Sequence, residues 1–371
     1  MEFLINRDVF LEALGNANGI IEKKTTFPIL SNILIEAKNS KIKITSTDLD
    51  IIYFEEIKPL EIKKEGSTTT SASILYDILR KLQQNTKVDL SLQSPNKIKL
   101  VSGNSKFNLL CLPPDNFPLS DENIQQESFE VSSQKLLKLL NKTKISISND
   151  ETRHYLNGIY LHKTKLENKS FLCGVATDSH RLSLSSLEID SNINIEPVIL
   201  PKKTIFQIIS LLGKSSEIVK ISNNKSKIKF QINNSVLISK VIDGRFPDYT
   251  KVIPKGNDKV LHVKLDELKN SIERVTTVSS DRKEGLKMNI SKDALQLSVN
   301  NPVGGEGVEN ISAKFNSDGL SISFNSSYLI DIASQIEDES IVINLKDAGS
   351  PVLINDFSDK NSFHVVMPMK I

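Results

Sequence analysis

Apolar residues change their spacing in the same way at three places along the chain. At each place, two apolar residues two positions apart are followed by two that lie four apart, which is typical of a short strand leading into a helix. The pairs are Phe3/Ile5 with Phe10/Leu14, Phe129/Val131 with Leu136/Leu140, and Leu261/Val263 with Leu268/Ile272. The copies begin roughly 130 residues apart, which is too long for a solenoid repeat and close to the size of a domain. The pattern therefore predicts one domain that occurs three times.

Each copy continues with the same further elements. A strand pair follows the first helix, then a second helix, then an alternating strand with a hairpin partner. The predicted strand pairs are 33–35 with 42–44, 158–161 with 171–173 and 286–289 with 295–297; the second helices are 73–82, 202–212 and 326–336; the closing hairpins are 88–92 with 97–100, 219–221 with 227–230 and 341–343 with 351–354. One unit is expected to read β-α-β-β-β-α-β-β-β. This is an α+β fold in which two helices cover one face of an antiparallel sheet.

Polar connections mark the borders between the predicted domains. One lies near 123–127, after a closing strand that ends near Leu112, and the other lies near 254–257, after a strand predicted to end at Val252. Domains of about 125 residues are of ordinary size. We therefore expect domains at 1–124, 125–254 and 255–371.

The composition indicates a cytoplasmic protein without a membrane anchor. Hydrophobic residues make up 39% of the chain, but no segment is long and apolar enough to span a membrane. The first residues lack the basic and apolar regions of a signal peptide. Cys111 and Cys173 lie in apolar, strand-like runs of different repeats, so we expect buried thiols in a reducing compartment rather than a disulfide framework.

The formal net charge is only +2, but the basic residues are unevenly placed. Carboxylates are frequent in the stretches that join the predicted elements, whereas clusters of Lys and Arg fall in or beside the repeated helices. These clusters are Lys23/Lys24, Arg80/Lys81, Lys135/Lys138/Lys142/Lys144, Lys202/Lys203, Arg274 and Arg282/Lys283. A basic helical layer is expected to attract a polyanion to one face of the protein. The alternative is that these residues only keep the helices soluble.

Domain size limits what a ring of such units can enclose. A domain of about 125 residues has a radius of gyration of roughly 14 Å, which corresponds to a sphere roughly 36 Å in diameter. Three or four such spheres in a ring leave a hole too narrow for a duplex roughly 20 Å wide, whereas six leave about 36 Å. Two copies of the chain supply six domains, and two-fold assembly is the commonest symmetry. If the helices encircle DNA, we therefore expect a homodimer.

Six short segments carry a resemblance to a known family. They are Phe27-Pro28-Ile29-Leu30 with Asn32, Thr47-Asp48-Leu49, Tyr155-Leu156-Asn157-Gly158, Ala176-Thr177-Asp178-Ser179-His180-Arg181-Leu182, Asp243-Gly244-Arg245-Phe246-Pro247-Asp248-Tyr249 and Val365-Val366-Met367-Pro368-Met369-Lys370-Ile371. In this order and over the full length, the chain resembles the bacterial beta sliding clamps, the beta subunits of DNA polymerase III. The resemblance implies three DNA-clamp domains with antiparallel sheets outside and helices lining the inside, joined head to tail in a dimeric ring.

The resemblance also implies a function in DNA replication. A sliding clamp encircles double-stranded DNA as a processivity factor and tethers the replicative DNA polymerase and repair proteins, which bind it through short linear motifs. An ATP-driven clamp loader is implied as a further partner, because no nucleotide site is visible in this chain. Contacts from Lys and Arg to phosphates carry no sequence information, so a ring that uses them can slide along the duplex.

DNA-contacting residues are assigned by similarity and by helix phase. Lys24, Arg80, His154 and Tyr155 match positions where the family approaches DNA. Helix phase adds four residues, namely Lys202, Arg282, Lys283 and Asn325. The family has a basic residue at the position of Ser73, so a contribution from that helix is in doubt.

The family binds client motifs in an apolar cleft between its second and third domains. The matching residues are Leu156, Thr177, Ser179, His180, Arg181, Leu182, Pro247, Lys251, Val252, Tyr328, Val365, Val366, Met367, Pro368 and Met369. Apolar walls and adaptable methionines suit varied partners. The alternative is that 365–369 is only the last strand of the third domain. Ser179 stands where glycine is common and Lys251 where arginine is common. Both departures are expected to be tolerated, with client preference as the property that they could change.

The third site implied by the resemblance is the dimer interface. An edge strand containing Lys106, Phe107 and Leu109 is expected to pair with the partner subunit near Thr277 and Val278. Ring closure would also remove sheet edges that otherwise aggregate. The stretch after Asn301 is poor in carboxylates for the family, so we expect an interface with few ion pairs.

Motifs of catalytic and metal sites are missing from the sequence. Asp178, Ser179, His180 and Arg181 are adjacent, so their side chains point in different directions, and no G-x-S-x-G accompanies them. Neither H-E-x-x-H nor C-x-x-C occurs, and no P-loop is present. We therefore predict a non-catalytic protein without a cofactor or metal. A scaffold that collects partners without DNA remains the alternative function.

Overall fold

The computed structural model describes residues 1–22, 26–119, 124, 127–213, 218–279 and 285–370. In these ranges the chain forms six α-helices and 25 β-strands. The helices are α1 Arg7–Asn18, α2 Ala72–Lys81, α3 Ser133–Lys144, α4 Lys202–Leu212, α5 Leu265–Val275 and α6 Ser326–Ala333. The strands are β1 Glu2–Asn6, β2 Asn32–Lys38, β3 Lys41–Thr47, β4 Ile51–Ile57, β5 Glu61–Lys64, β6 Gly66–Ser71, β7 Lys87–Ser94, β8 Lys97–Ser102, β9 Ser105–Leu112, β10 Phe129–Ser132, β11 Gly158–Leu166, β12 Lys169–Thr177, β13 Arg181–Ile189, β14 Val198–Pro201, β15 Ile218–Asn223, β16 Lys227–Ile232, β17 Ser235–Lys240, β18 Lys259–Lys264, β19 Gly285–Ile290, β20 Ala294–Asn301, β21 Gly305–Phe315, β22 Leu320–Asn325, β23 Ser340–Leu345, β24 Val352–Asp356 and β25 Asp359–Val366.

The three predicted strand-to-helix segments are confirmed. Strand β1 leads into α1, β10 into α3 and β18 into α5. At the start of α1, the side-chain oxygen of Asn6 accepts a hydrogen bond from the backbone N–H of Asp8 at 2.8 Å. This bond satisfies one of the donors that a helix start leaves unpaired. The predicted apolar pair Phe10 and Leu14 is fully buried, so the helix packs by the face that the spacing indicated.

The second helix of each repeat also forms, with one change of length. Helices α2 and α4 lie within one residue of their predicted bounds, whereas α6 ends at Ala333 rather than near residue 336. The backbone N–H of Gln335 bonds to the carbonyl of Ile332, three residues back, so the last turn tightens and the helix ends. The predicted apolar residue Ile336 is still buried, in the chain that follows the helix.

More strands lie between the two helices of each repeat than the predicted three. The first repeat has five and the other two have four each within the described residues. The strands that the pattern missed include β5, β6, β14 and β22. Strand β6 reads Gly-Ser-Thr-Thr-Thr-Ser and shows no apolar alternation, while β14 and β22 are short and run directly into a helix. Val252, predicted to end a strand, instead follows the 3₁₀ turn Tyr249–Lys251.

Close contacts divide the chain into two compact units. The first comprises residues 1–134 and 206–241, and the second comprises 135–205 and 242–371. The first contains an antiparallel sheet of 13 strands in the order β10-β15-β16-β17-β4-β3-β2-β6-β9-β8-β7-β1-β5. The second contains one of 12 strands in the order β14-β11-β12-β13-β25-β24-β23-β18-β21-β20-β19-β22. These units are groupings by contact, and the domain borders at 124/125 and 254/255 stay predictions.

In the first unit, α1 and α2 pack side by side. Helix α1 also packs against β3 and β4, and helix α2 packs against β2 and β6.

A buried polar cluster lies where β4 pairs with β17. The hydroxyl of Tyr53 donates to Glu55 Oε2 at 2.5 Å, and Asn16 Nδ2 donates to the same oxygen at 3.1 Å. Burial and the neighbouring Glu55 carboxylate both raise the pKa of Tyr53. Asn234 Nδ2 donates to the other oxygen, Oε1, at 3.4 Å, so the carboxylate accepts three hydrogen bonds inside the unit.

Candidate functional site

An apolar pocket lies on the second unit. Its cavity volume is about 270 Å³. Ten of its twelve lining residues belong to the predicted client site, and the other two are Asp248 and Tyr249. The ten are Leu156, Thr177, Ser179, His180, Arg181, Leu182, Pro247, Val252, Val365 and Met367. The structure therefore brings together residues from four separate segments of the chain.

Strand pairing creates the base of the pocket. Strands β13 and β25 are antiparallel neighbours, and Leu182 lies directly opposite Val365 in their register. Both side chains are buried, and they pack in one cluster with Leu156 and Phe246. Val366 does not line the pocket, which corrects its prediction as a pocket residue. Because side chains alternate along a strand, Val366 points to the other face and is buried in the adjoining core with Ile354.

The turn between β12 and β13 shapes one side of the pocket through hydrogen bonds to its own backbone. Asp178 Oδ1 accepts from the backbone N–H groups of His180 at 3.0 Å and Arg181 at 2.9 Å. The hydroxyl of Thr177 donates to the carbonyl of Arg181 at 2.7 Å. Ser179 has a φ of 78°, in the left-handed region that favours glycine. Its hydroxyl accepts a hydrogen bond from Arg153 Nη1 at 2.6 Å, which adds a polar contact to this otherwise unfavourable conformation.

Arg181 links this turn to helix α6. Its Nε bonds to Asp178 Oδ2 at 3.1 Å and its Nη1 to Asp331 Oδ2 at 2.7 Å. The guanidinium also lies over the ring of Tyr328, 4.3 Å from the centroid. The side chain is nearly buried, so its charge is compensated by the two carboxylates within the chain. Arg181 therefore supports the pocket wall rather than presenting a free cation.

Aromatic residues support the pocket on the opposite side. Tyr249 lines the pocket, and its hydroxyl lies 3.1 Å from His162 Nε2. The ring of Tyr160 stacks on Phe246 with centroids 4.9 Å apart. Burial raises the pKa of the nearby Cys173 thiol to about 12 and lowers the pKa of His162. Sequence reasoning omitted Asp248 and Tyr249 from the site, although both lie in the segment Asp243–Tyr249 that carried the resemblance.

The C-terminal segment forms a second cavity beside the first. The backbone N–H of Met367 bonds to the carbonyl of His180 at 2.9 Å, and that of Met369 bonds to Ser323 at 2.7 Å. These two bonds fix the segment between strand β22 and the β12–β13 turn. The second cavity is about 360 Å³ in volume and is lined by His180, Asn325, Tyr328, Met367, Pro368, Met369 and Lys370. Lys251 lines a third cavity, next to Val252.

The predicted DNA-contacting residues lie in different settings. Arg80 is exposed near the end of α2 and forms an ion pair with Asp77 at 3.2 Å. His154 is exposed, with Nε2 3.1 Å from the carbonyl of Asp243, and its ring meets Tyr155 edge to face. Lys202 is exposed at the start of α4, where it bonds to Asn149, and Asn325 caps α6. Lys24, Arg282 and Lys283 lie outside the described residues.

One basic cluster does not form the exposed layer that the sequence suggested. Lys142 of α3 is 2% exposed and lies within 3.1 Å of the carboxylates of Asp356 and Asp359. Lys138, one turn earlier, pairs with Glu337 at 2.8 Å. Lys142 is therefore neutralised in the interior of the second unit and Lys138 at its partly exposed edge, so both are paired with carboxylates rather than available to a polyanion.

Of the predicted interface residues, those on β9 lie at a strand edge, and those at 277–278 lie beside the edge of β21. Residues 105–110 of β9 pair with β8 on one side, whereas β6 reaches only Cys111 and Leu112 on the other. In the second unit, residues 305–312 of β21 pair with β20, and β18 pairs with β21 only from Ala313 onwards. Within the described residues, both edges are left without a second strand. Thr277 and Val278 form a 3₁₀ turn that packs against β21.

Among the described residues, no group of three or more His, Cys, Asp or Glu side chains is placed to hold a metal ion. In the same part of the chain, no helix has the length and apolar character that crossing a membrane requires.

Comparisons with known proteins agree over the whole length. Family models of the DNA polymerase III beta subunit match in order, the N-terminal domain at residues 1–121, the central domain at 130–248 and the C-terminal domain at 250–370. The beta sliding clamp of Caulobacter vibrioides is 34% identical and that of Escherichia coli K12 is 29% identical, each over 100% of both chains.

Solved structures give the same result. The sliding clamp of Bartonella birtlesii bound to griselimycin has a TM-score of 0.96 and 38% identity, with 100% of both chains covered. The DNA polymerase III subunit beta of Pseudomonas aeruginosa has a TM-score of 0.93 and 30% identity, again with 100% of both covered. The chain therefore belongs to the beta sliding clamp family, the beta subunits of DNA polymerase III, and is a DNA sliding clamp that serves as a processivity factor in DNA replication.

Proposed function

We propose that the chain binds the short linear motifs of the replicative polymerase and other clients in the apolar pocket of its second unit. The single observation that carries this proposal is the convergence of Leu156, Leu182 and Val365 at the base of an open cavity. Half-exposed Met367 lies at its border, where an unbranched side chain can repack for different ligands. The griselimycin complex of the Bartonella relative supports a ligand-binding role for this family.

The pocket orients its ligand mainly by shape and by backbone groups. Arg181 is already bonded to Asp178 and Asp331, so a client gains little from offering it another carboxylate. His180 and Tyr249 are among the polar residues that line the cavity. A few placed polar groups in a mostly apolar cleft are the usual composition of a specific ligand site.

The chain closes around DNA as a homodimer of three domains per subunit, at 1–124, 125–254 and 255–371. The β9 edge of one subunit pairs with the partner near β21 and the turn that holds Thr277 and Val278. Two observations support this assignment: both edges lack a second strand among the described residues, and Leu110 on β9 is 83% exposed. Pairing between subunits would satisfy these backbone groups and cover the apolar side chain.

DNA is held without base recognition. Arg80, His154, Tyr155 and Lys202, together with Lys24, Arg282, Lys283 and Asn325, are assigned to the surface that meets double-stranded DNA. Topological enclosure needs only exchangeable contacts to phosphate. A separate ATP-driven clamp loader opens the ring.

The protein is non-catalytic, cytoplasmic and free of cofactors. The residues that come nearest to an acid–base set are committed to structure, which supports this proposal. Asp178 accepts two backbone hydrogen bonds and pairs with Arg181. The hydroxyl of Ser179 is bonded to a guanidinium rather than to a base that would activate it.

Retention on DNA tests the enclosure. The loaded protein should stay on nicked circular DNA and leave it when the circle is cut to a linear duplex, because only a closed ring is held by topology. A partner-collecting scaffold that does not enclose DNA would behave identically on both substrates. That result would overturn the proposal.

Substitution of two methionines tests the pocket. Met367→Ala together with Met369→Ala should weaken binding of the replicative polymerase, since both side chains border the cavities. The mass of the dimer in solution should not change. Unaltered polymerase binding in a folded, dimeric variant would remove the pocket assignment.

A further inference from the structure

A third cavity adjoins the pocket. Lys251, Val252 and Met367 of its lining were predicted as client-site residues, whereas its other lining residues have no assigned function. Its volume is about 640 Å³, and all of its residues belong to the second unit. The lining residues are Thr250, Lys251, Val252, Ile253, Pro254, Lys255, Pro351 and Met367. We call this cavity the flank groove.

The flank groove is continuous with the pocket. Val252 and Met367 line both cavities, and they are 49% and 42% exposed. The two side chains therefore form a low apolar boundary that a bound chain can cross without leaving the protein surface. A peptide whose motif lies in the pocket and whose chain continues past Met367 enters this groove.

Proline and isoleucine give the groove an apolar side. Ile253, Pro254 and Pro351 are each half-buried, so part of every side chain remains open to a ligand. Neither proline has a backbone N–H to offer. Recognition on this side therefore depends on contact with an extended chain rather than on addition of a strand to the sheet.

Two lysines give the groove its charge. Lys255 is exposed, and Lys251 is 79% exposed while pairing with Asp248 at 3.4 Å. An exposed ion pair of this kind contributes little and exchanges readily. Within the described residues, no carboxylate lines the groove itself, since Asp248 lines the main pocket instead.

We propose that the flank groove binds an acidic segment of the client chain that directly adjoins the apolar motif. This inference rests on the proposed function of the pocket, and it adds a charge preference to it. The apolar lining and the shared boundary favour a peptide over nucleic acid, which offers phosphates but no side chains to Ile253 and Pro351. The two lysines then act as determinants of client choice.

The test uses the full-length protein and labelled peptides with one apolar core, Leu-Ser-Leu-Phe. Three aspartates, three serines or three lysines are added at either end, and binding is measured by fluorescence anisotropy at low and high salt. The best aspartate peptide should bind about 3–10-fold more tightly than its serine counterpart at low salt, and this advantage should shrink at high salt because ions screen exposed charges.

Charge reversal identifies the groove as the source of the preference. Lys255→Glu should abolish or invert the advantage of the aspartate peptide while leaving the serine peptide unchanged. Lys292→Glu is the matched control, because Lys292 is an exposed lysine of the same unit outside the groove. Equal binding of the aspartate and serine peptides, or an advantage that survives Lys255→Glu, would overturn the proposal.

Two other outcomes are distinguishable. If none of the peptides binds, the pocket assignment itself fails. If Lys255→Glu weakens binding of a single-stranded DNA 20-mer but leaves the peptide ranking unchanged, the groove serves nucleic acid and the acidic-segment proposal is wrong.

Discussion

Lys142 Nζ and Asp356 Oδ2 lie 2.9 Å apart in the interior of the second unit, which ties helix α3 to the hairpin between β24 and β25. The same ammonium is 3.1 Å from Asp359 Oδ2. Asp356 Oδ2 also accepts the backbone N–H of Glu337 at 2.9 Å, and Asp359 Oδ2 accepts the hydroxyl of Ser362. One buried cation is thus surrounded by carboxylates that have further donors, an arrangement that tolerates burial of charge.

Removal of the cation should be costly. Lys142→Met removes the lysine that pairs with buried Asp356 and leaves Asp359 with Lys138, 3.2 Å away. We expect the free energy of unfolding to fall by about 3–5 kcal/mol. Urea denaturation followed by circular dichroism measures the change. Lys138→Met is the matched control on the same helix, because Lys138 is about one-third exposed and should lose only about 1 kcal/mol.

A rescue variant separates the charge effect from packing. Lys142→Met combined with Asp356→Asn should recover part of the lost stability, since the buried carboxylate charge that Lys142 compensated is removed as well. If Lys142→Met is as stable as the parent chain, the buried ion pair does not hold α3 to the hairpin.

His364 should make the second unit sensitive to mild acid. Burial, reinforced by the positive charges of Lys142 and Arg181 and opposed by Asp356 and Asp359, lowers the pKa of His364 to about 3. In the unfolded chain, histidine binds a proton near pH 6.5. Between these two values the unfolded state binds more protons, so stability falls as the pH falls, by about 1.4 kcal/mol per pH unit.

The measurement is the free energy of unfolding of the parent chain and of His364→Gln, compared at several pH values between 6 and 4. Glutamine can keep a hydrogen bond to Ser183, whose hydroxyl lies 2.7 Å from His364 Nδ1, but it does not titrate. The variant should therefore lose less stability on acidification. Below about pH 4, Asp359 adds a second loss, because hydrogen bonds from Ser362 and Lys142 outweigh burial and lower its pKa to about 2. Parallel curves for the two proteins between pH 6 and 4 would contradict the prediction.

Local patterns predicted the elements that have an apolar face. The spacing of Phe10 and Leu14 was sufficient to place α1, because the residues that make a helix amphipathic are close in sequence. Strand β6 was missed, since its threonines are buried by neighbouring strands rather than by any periodicity of their own. Lys142 looked like a surface residue for a similar reason: its partner Asp356 is 214 positions away, and nothing in the local sequence shows the pairing.

The candidate site depended still more on long-range structure. Leu182 and Val365 meet because β13 and β25 are neighbours in the sheet, a pairing that no spacing rule provides. Their assignment to one pocket came from the family resemblance. The strand period then distinguishes Val365 from Val366, and the sequence would have allowed that distinction had alternation been applied to the last strand.

Cys173 should be inert in the folded protein. Burial raises the pKa of its thiol to about 12, so almost no thiolate is present at pH 8. Burial also raises the pKa of Cys111. We expect iodoacetamide to modify neither cysteine at pH 8 in the native state and both after unfolding in urea, as read by intact mass. Rapid labelling of the native protein at Cys173 would show that the aromatic side of the pocket opens readily.

Arg181 should be irreplaceable by lysine as a support of the pocket. The guanidinium contacts Asp178, Asp331 and the ring of Tyr328 at once, which an ammonium cannot do in the same geometry. Arg181→Lys should weaken binding of the Leu-Ser-Leu-Phe peptide by about 3–10-fold with no change in dimer mass. Arg274→Lys is the control, since Arg274 bonds Glu309 away from the pocket and should leave peptide binding unaffected. If the peptide binds Arg181→Lys as tightly as the parent protein, the β12–β13 turn keeps its shape without the contacts of the guanidinium to Asp178 and Asp331.

The dimer interface should depend more on apolar and backbone contacts than on ion pairs. Glu309 on β21 is already bonded to Arg274 of the same chain, with Nε to Oε2 at 3.0 Å, so it is less available to a partner subunit. Across from it, the proposed β9 edge carries the exposed apolar side chain of Leu110 beside few charges.

We therefore expect the dissociation constant of the dimer to change by less than about 3-fold between 50 and 500 mM NaCl, since salt screens only charged contacts. Leu110→Asp should give monomers in sedimentation experiments, because it places a charge in an apolar part of the dimer interface. Leu166→Asp is the control and should remain dimeric, since Leu166 is exposed on β11, outside the proposed interface. A dissociation constant that rises steeply with salt would mean that ion pairs close the ring. In that case the scarcity of carboxylates after Asn301 would not indicate an interface with few ion pairs.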